Sequence, residues 1–332
     1  MKACAFFGKR DVRIVDIPVP EVPDDGVLIR MRACGICGTD MHVYNSELLV
    51  EASTKVMSGY KIIGHEFSGE IVEVGAKGIG FEVGDRVSSV HNKGGLAEYV
   101  AVSGDRLKNL FKLPPHVPYR TAATLEPFCN PVHSYHMREL VDDETVAIFG
   151  SGVIGLGYLQ VLRANSNARA IVVDISDYKL EFAERIGASE IVNAKRVDPV
   201  KRIKELTGEH HVRYHPLTAG GCDVAIDCAG IPITMQQCLE VLKTEAGVAI
   251  LAAIYENDVP IDANIVVLKY MSVLGSMGYY PEETAEALKL IADGRVDRDI
   301  LITHTLPLEE VEEGFAIQGD PDASVKVVML NE

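Results

Sequence analysis

The sequence predicts a mixed α/β chain in which a doubly wound parallel sheet is set among β-rich segments. Three observations point there. Strands and helices alternate from about Glu144 onward; a glycine-rich turn, "GSGVIG", sits between the first of those strands and its helix; and the segment before them is built of short apolar runs cut by Gly, Asp and Pro.

The elements follow in order. "VLIRMRAC", "FSGEIVEVG", "DRVSSV" and "LAEYVAVSG" read as strands, and "VEVGAKGIGFEVGDRV" as strand, turn, strand. The alternation then runs "TVAIFG" to "VIGLGYLQVLRAN", "AIVVDIS" to "DYKLEFAERIG", "EIVN" to "VKRIKELTG", "CDVAIDCAG" to "TMQQCLEVLK", and "GVAILAAI". Such an order implies parallel strands joined by right-handed crossovers. "IVVL" and "SVLGSM" come next, then a helix "PEETAEALKLIADG" opened by its proline, and a last strand "SVKVVML". The apolar "NIVVLKYMSVLG" reads as a sheet edge or an internal strand. "GEHHVRYHPLTAGG" reads as a solvated loop, since no cysteine or carboxylate cluster accompanies its histidines.

A chain of 332 residues, 47% of them hydrophobic, has the length for two domains. A net charge of −16 without a basic cluster argues against nucleic acid and anionic lipid as partners. No basic-then-apolar leader and no bilayer-length apolar run are visible, so a cytoplasmic setting is expected. The seven cysteines are odd in number, scattered, and mostly within apolar stretches, which is thiol usage of a reducing compartment.

The glycine run supplies Gly150, Gly152 and Gly155, with Val153 and Ile154 opening the helix. In that spacing the glycines serve a tight turn, close approach of backbone to a pyrophosphate, and helix-to-strand packing. Asp174 ends the next strand, where a carboxylate accepts hydrogen bonds from ribose hydroxyls and repels a 2′-phosphate, favouring NAD. A helix N-cap role for Asp174, Ser176 or Asp177 is the structural alternative. Lys179 is placed to lie over the ribose, or is a plain exposed lysine.

"GICGTDMHVY" gathers Cys37, Thr39, Asp40 and His42 into one loop; compartment excludes a disulfide and leaves Cys37 as ligand, nucleophile or turn residue. "IIGHEFSG" adds His65 and Glu66, and "TLEPFCNPVHSY" adds Glu126, with Cys129 and His133 behind it. Thiolate, imidazole and carboxylate from separated loops fit one tetrahedral zinc ion.

Over essentially the whole chain, from "VLIRMRACGICGTDMHVYN" through "IIGHEFSGEIVEVG", "EPFCNPVHS" and "GSGVIGLG" to "ITHTLPLEEVEEGF", the sequence resembles the zinc-dependent medium-chain dehydrogenase/reductases, nearest to threonine and sorbitol dehydrogenases. The resemblance implies a GroES-like catalytic domain (1–140 and 272–332) around an NAD-binding Rossmann domain (141–271). It implies a catalytic Zn2+ on Cys37, His65, Glu66 and Glu126, the last directly or through water. The reaction implied is hydride transfer from a secondary alcohol of a small polar substrate to NAD, with the metal lowering the hydroxyl pKa so that an alkoxide forms. Thr39 and His42 then form the proton relay to solvent. A homodimer or homotetramer is the expected assembly.

Two departures matter. Relatives with a structural zinc carry four close cysteines where this chain has only "SSVHNKGG", so a single zinc is expected; His91 stands at that point as a pocket candidate. No tryptophan occurs, whereas threonine dehydrogenases carry one just after the stretch matching Tyr44 and Asn45. A polyol or sugar acid is therefore the leading substrate class, with threonine 3-dehydrogenase activity and a turnover-free NAD sensor as alternatives. Tyr44, Asn45 and "SELLVEAST" are the specificity candidates, and Cys129 a small lining residue. A zinc-free quinone reductase of the same fold would lack Cys37 and the His65–Glu66 pair.

Overall fold

The computed structural model describes residues 1–77, 80–214, 216 and 218–331. Two compact units result, Met1–Pro127 with Thr284–Glu332, and Phe128–Glu283. The second begins nearer the N-terminus and ends nearer the C-terminus than the expected 141–271.

In the first unit, β1 (Lys2–Gly8) and β2 (Asp11–Asp16) form a hairpin, and β3 (Gly26–Gly35) is a ten-residue strand with eight buried positions. Then come α1 (Gly38–Ser46), α2 (Val50–Ser53), β4 (Lys55–Met57), β5 (Tyr60–Ile62), β6 (Glu66–Val74), β7 (Arg86–Ser89), β8 (Tyr99–Ser103), β9 (Leu110–Lys112) and α3 (Tyr119–Ala122). The turn read between β6 and β7 lies partly outside the described residues, at 78 and 79.

α4 (Leu125–Met137) leads to the second unit's strands and helices: β10 (Thr145–Phe149), α5 (Val153–Asn165), β11 (Arg169–Asp174), α6 (Asp177–Ile186), β12 (Glu190–Asn193) and α7 (Pro199–Thr207). β13 (His210–His211) and β14 (Thr218–Ala219) pair as a small antiparallel ribbon in the His-rich loop. Its two described strand histidines are exposed, while His215 and Leu217 lie outside the described residues. β15 (Val224–Asp227), α8 (Pro232–Val241), β16 (Val248–Leu251), α9 (Ala263–Leu268) and β17 (Ser272–Gly275) follow. The parallel sheet has the order β12-β11-β10-β15-β16-β17, which reverses direction beside β10, the place where such sheets bind ligands.

The apolar run "NIVVLKYMSVLG" divides. Asp262 accepts the Asn264 N–H at 2.9 Å and starts α9, so a capping carboxylate overrides the β-branched composition. Only Ser272–Gly275 remains extended, as the edge strand β17.

The chain then returns to the first unit with α10 (Pro281–Ala292), β18 (Ile302–Pro307), α11 (Val311–Gln318) and β19 (Lys326–Leu330). β19 lies antiparallel to β3, which lies antiparallel to β6, so an early strand and a late one are neighbours in one sheet. Its core gathers Ile29, Met31, Ile36, Phe67, Phe315 and Met329, none more than about one-hundredth exposed.

In the second unit Lys269 is 2% exposed and its ammonium donates to the carbonyls of Leu239 and Glu240 at the end of α8. Burial, helped by the Lys204 charge, brings its pKa down to about 7. The unfolded chain then binds more protons than the native one between that value and the ordinary lysine range, so this residue's contribution to stability rises with pH across that window. Melting the protein and Lys269→Met at intervals from pH 7 to 10 is expected to show a stability difference that changes in the native protein's favour as pH rises; a pH-independent difference would contradict the assignment.

Candidate metal centre and nucleotide loop

Three strand ends meet at the candidate metal centre. Register pairs Gly35 of β3 with Glu66 of β6 on one side and with Val328 of β19 on the other, and the Ile36 N–H donates to Val327 O at 3.0 Å. Cys37, leaving β3, is thus carried beside His65 and Glu66 entering β6 and beside Lys326 entering β19. One ligand atom each from Cys37, His65 and Glu66 lies within 4.8 Å of the others. Ligands about 2.0–2.3 Å from a tetrahedral ion sit about 3.5 Å apart, a separation small adjustments reach.

The carboxylate fits the same purpose. Glu66 is fully buried; Oε2 is ion-paired with Lys326 Nζ, and Oε1 has no hydrogen-bond partner among the described residues. A buried carboxylate oxygen left without a donor is costly unless a cation takes it up. Lys326, 1% exposed, also donates to Ile36 O at 2.8 Å, and the Glu66 charge holds its pKa up against the opposing effect of burial. The pair crosses directly over Gly35, where an added Cβ would collide with the Glu66 carboxylate and come within 2.7 Å of Lys326 Cε.

Asp40 holds the loop in shape. It sits in the first turn of α1, where one oxygen accepts the Cys37 N–H at 2.9 Å and the other accepts the Gly64 N–H at 3.3 Å. That second oxygen is also 3.6 Å from His65 Nδ1, so the opposite ring nitrogen is the one left to face a metal. Burial pushes the Cys37 thiol up, with Glu66 adding to it and His65 opposing. Burial alone would lower His65, but the Cys37 and Asp40 charges outweigh it and raise the imidazole well above its ordinary value. Binding a metal through Cys37 and His65 would displace protons.

Glu126, in the first turn of α4, is buried but falls outside the group formed by Cys37, His65 and Glu66. Cys129 is fully buried and also outside it. Thr39 and His42, three residues apart on α1, share a helix face and are half-buried. Tyr44 packs on Phe315, ring centroids 5.1 Å apart, as part of the core, whereas Asn45 is half-buried near the end of α1. His91 is exposed, with φ +57.

In the second unit the glycine loop has the shape its spacing implies. Gly150 adopts φ +97, and a Cβ on Gly155 would strike Gly150 O, while one on Gly152 would meet nothing within 4 Å. Gly152 is the N-cap of α5, so Val153 and Ile154 occupy its first turn with their N–H groups toward the open side. The Ser151 hydroxyl is buried without a partner among the described residues, and its N–H donates to Asp174 Oδ2 at 2.6 Å. Asp174 Oδ1 accepts from Ile175 and Ser176 N–H groups. The helix-capping role falls to Ser176, whose hydroxyl accepts the Lys179 N–H at 3.4 Å. Asp174 therefore stands at the strand end beside the loop, and Lys179 is half-buried in the first turn of α6. These atoms fit a dinucleotide's phosphates and ribose.

Asp40, Lys326 and Ser151 have no site role in the sequence reading. The only sequence signal among them is the three-residue offset of Asp40 from Cys37, an N-cap spacing.

Residues 23–115 match the alcohol dehydrogenase GroES-like domain and residues 153–293 the zinc-binding dehydrogenase family. (R,R)-butanediol dehydrogenase from Bacillus subtilis (strain 168) is 30% identical over 99% of each chain. A crystal structure of 2R,3R-butanediol dehydrogenase from Bacillus subtilis superposes with a TM-score of 0.86 at 29% identity, covering 100% of this chain and 99% of that one. L-threonine 3-dehydrogenase from Proteus mirabilis (strain HI4320) is 29% identical over 92% of each chain. A zinc-binding dehydrogenase from Sinorhizobium meliloti 1021, crystallised with NADP, has a TM-score of 0.84 at 27% identity over 99% of each chain. Among the described residues no helix is long and apolar enough to cross a membrane. By the match along its whole length, this chain belongs to the zinc-dependent medium-chain alcohol dehydrogenases and is an alcohol oxidoreductase.

Proposed function

We propose that the protein oxidises a secondary hydroxyl of a small polar substrate, of the polyol or sugar-acid kind, with NAD as hydride acceptor and one zinc ion per chain. The observation that carries this reading is the convergence of Cys37, His65 and Glu66 in a chain whose glycine loop is backed by Asp174. Cys37, His65 and Glu66 would hold the zinc, with Glu126 added by the family resemblance, directly or through water, and the ion when bound lowers the pKa of a hydroxyl at the site.

The chain's own groups supply the rest. Asp40 orients His65, and Lys326 orients Glu66 while balancing its charge. Thr39 Oγ1 takes the proton that the substrate hydroxyl gives up as it releases its own, and His42, on the same face of α1, passes a proton on toward solvent. The first-turn N–H groups of α5, with Gly150 and Gly152, hold the pyrophosphate, and Asp174 accepts from the ribose hydroxyls. Lys179 lies over that ribose. Chains pair as a homodimer or homotetramer, an arrangement that the unpaired edge of β17 supports.

The test is metal analysis of the purified protein together with NAD reduction over a panel of diols, polyols, sugar acids and threonine. Zinc near one per chain and turnover of a polyol or sugar acid are expected; turnover of threonine above all others would favour the threonine dehydrogenase reading, and zinc binding without any turnover the sensor. Asp174→Arg is expected to reverse the NAD over NADP preference, by removing a ribose acceptor and adding a phosphate partner. Unchanged cofactor selectivity would sink the role given to Asp174.

A further inference from the structure

The sheet register places the short loop 90–95 at the edge of the metal centre. Phe67 pairs with Ser89 as the last rung of the β6–β7 ladder, so the chain leaves β7 beside the His65 end of β6, two residues before His91. Backbone bonds tie the loop there: Gly95 N–H to Gly64 O at 2.8 Å, Leu96 N–H to Ile63 O at 3.1 Å, and Val90 N–H to Asn109 O at 3.0 Å. The buried Asn92 amide reaches Ser89 Oγ at 2.9 Å and Arg106 O at 3.4 Å. On another side Gly94 runs against the stem of Lys55, its added Cβ 3.2 Å from Lys55 Cβ and Cδ.

Three of the charges around this loop are positive. Lys55, Lys93 and Arg106 border it, and the Arg106 charge is felt by both lysines. None of the three has an ion-pair partner among the described residues; Glu51, the carboxylate whose field reaches Lys93, is ion-paired with Lys61. Lys55 donates to Ala101 O at 2.7 Å and has two further N–H groups to give. In a chain of net charge −16, three cations kept together without an ion-pair partner repel one another. A cluster of that kind is balanced when an anion binds.

We propose that Lys55, Lys93 and Arg106, with His91 on the loop between them, form an anion-binding rim of the substrate site, so that the substrate is a hydroxyl compound bearing a negative group, a carboxylate or a phosphate monoester. The inference rests on the alcohol-oxidising role proposed above and narrows it: the hydroxyl is presented to the Cys37–His65–Glu66 centre while its anionic end is held at the rim.

The experiment compares zinc-loaded enzyme and the exposed-rim variant Lys93→Ala/Arg106→Ala on three matched substrates, sorbitol, gluconate and sorbitol 6-phosphate, by NAD reduction. Calorimetric titration of the same protein with gluconate, inorganic phosphate and sorbitol is run beside it. One of the two anions is expected to exceed sorbitol in kcat/KM by about tenfold or more, with the advantage shrinking as salt is raised and collapsing in the variant. Which anion wins separates the carboxylate from the phosphate source. Turnover of sorbitol with no anionic advantage, or an advantage kept in full by the variant, overturns the rim and leaves the alcohol-oxidising role standing. No turnover of any substrate overturns that role instead, and calorimetry then decides the rim: heat from an anion that the variant lacks supports it, and equal or absent heat in both proteins refutes it.

Discussion

Cys37→Ser is expected to lower bound zinc well below one ion per chain and to cut kcat/KM for the alcohol by at least about a hundredfold, beyond the usual loss from an outer-shell change at a metal site. The hydroxyl that replaces the thiol is a far weaker zinc ligand and does not ionise near neutral pH. The fold should survive, because Cys37 sits at the mouth of α1 and the Asp40 bond to its backbone N–H does not depend on the side chain. Metal content by mass spectrometry of native protein, far-ultraviolet dichroism and NAD reduction read the three parts separately. A serine variant with a full complement of zinc and undiminished turnover would remove Cys37 from the centre.

Lys326→Met should be the more destructive change to stability. It strands the buried Glu66 carboxylate, and breaking a buried pair from one side typically costs about 3–5 kcal/mol. The double variant Lys326→Met/Glu66→Gln is expected to recover part of that loss, since the uncompensated charge is gone. Glu66→Gln alone should be milder, as Lys326 keeps Ile36 O. Urea unfolding of the four proteins gives the coupling directly; additive losses would mean that the two side chains do not act as a pair. Adding saturating zinc should narrow the deficit of Lys326→Met, because a bound cation compensates the same carboxylate.

The parts of the molecule legible in the sequence are those whose chemistry is local. The glycine loop needs three glycines within six residues; Gly150 takes the left-handed turn and Gly155 the close packing that the spacing implies, while Gly152 faces open space. Cys37, His65 and Glu66 come from two short motifs, and β3 and β6 bring them together. What was not legible depends on distant partners. Lys326 reads as an ordinary residue in "SVKVVML", and only the pairing of β19 with β3 gives it a buried carboxylate to meet. Asp40 was visible as an aspartate in the opening loop, but its second bond goes to Gly64, across a gap the sequence does not measure. The edge segment misled for the opposite reason: "NIVVL" has strand composition, and one side-chain bond from Asp262 decides for helix. Likewise, Lys55, Lys93 and Arg106 are scattered over fifty residues, and only the folded loop makes them neighbours.

The position of β19 bears on how the enzyme is made. Phe128–Glu283 is one continuous stretch, whereas the other unit is assembled from residues on both sides of it. During synthesis the central stretch is free to fold as soon as it emerges. The ends of β3 and β6, carrying Cys37, His65 and Glu66, must wait until β19 has been translated before Lys326 takes its place against Glu66. On the ribosome, then, Cys37, His65 and Glu66 are made long before the cation that balances Glu66. For the zinc site proposed above, the complete set of residues, Lys326 included, exists only once β19 has been made.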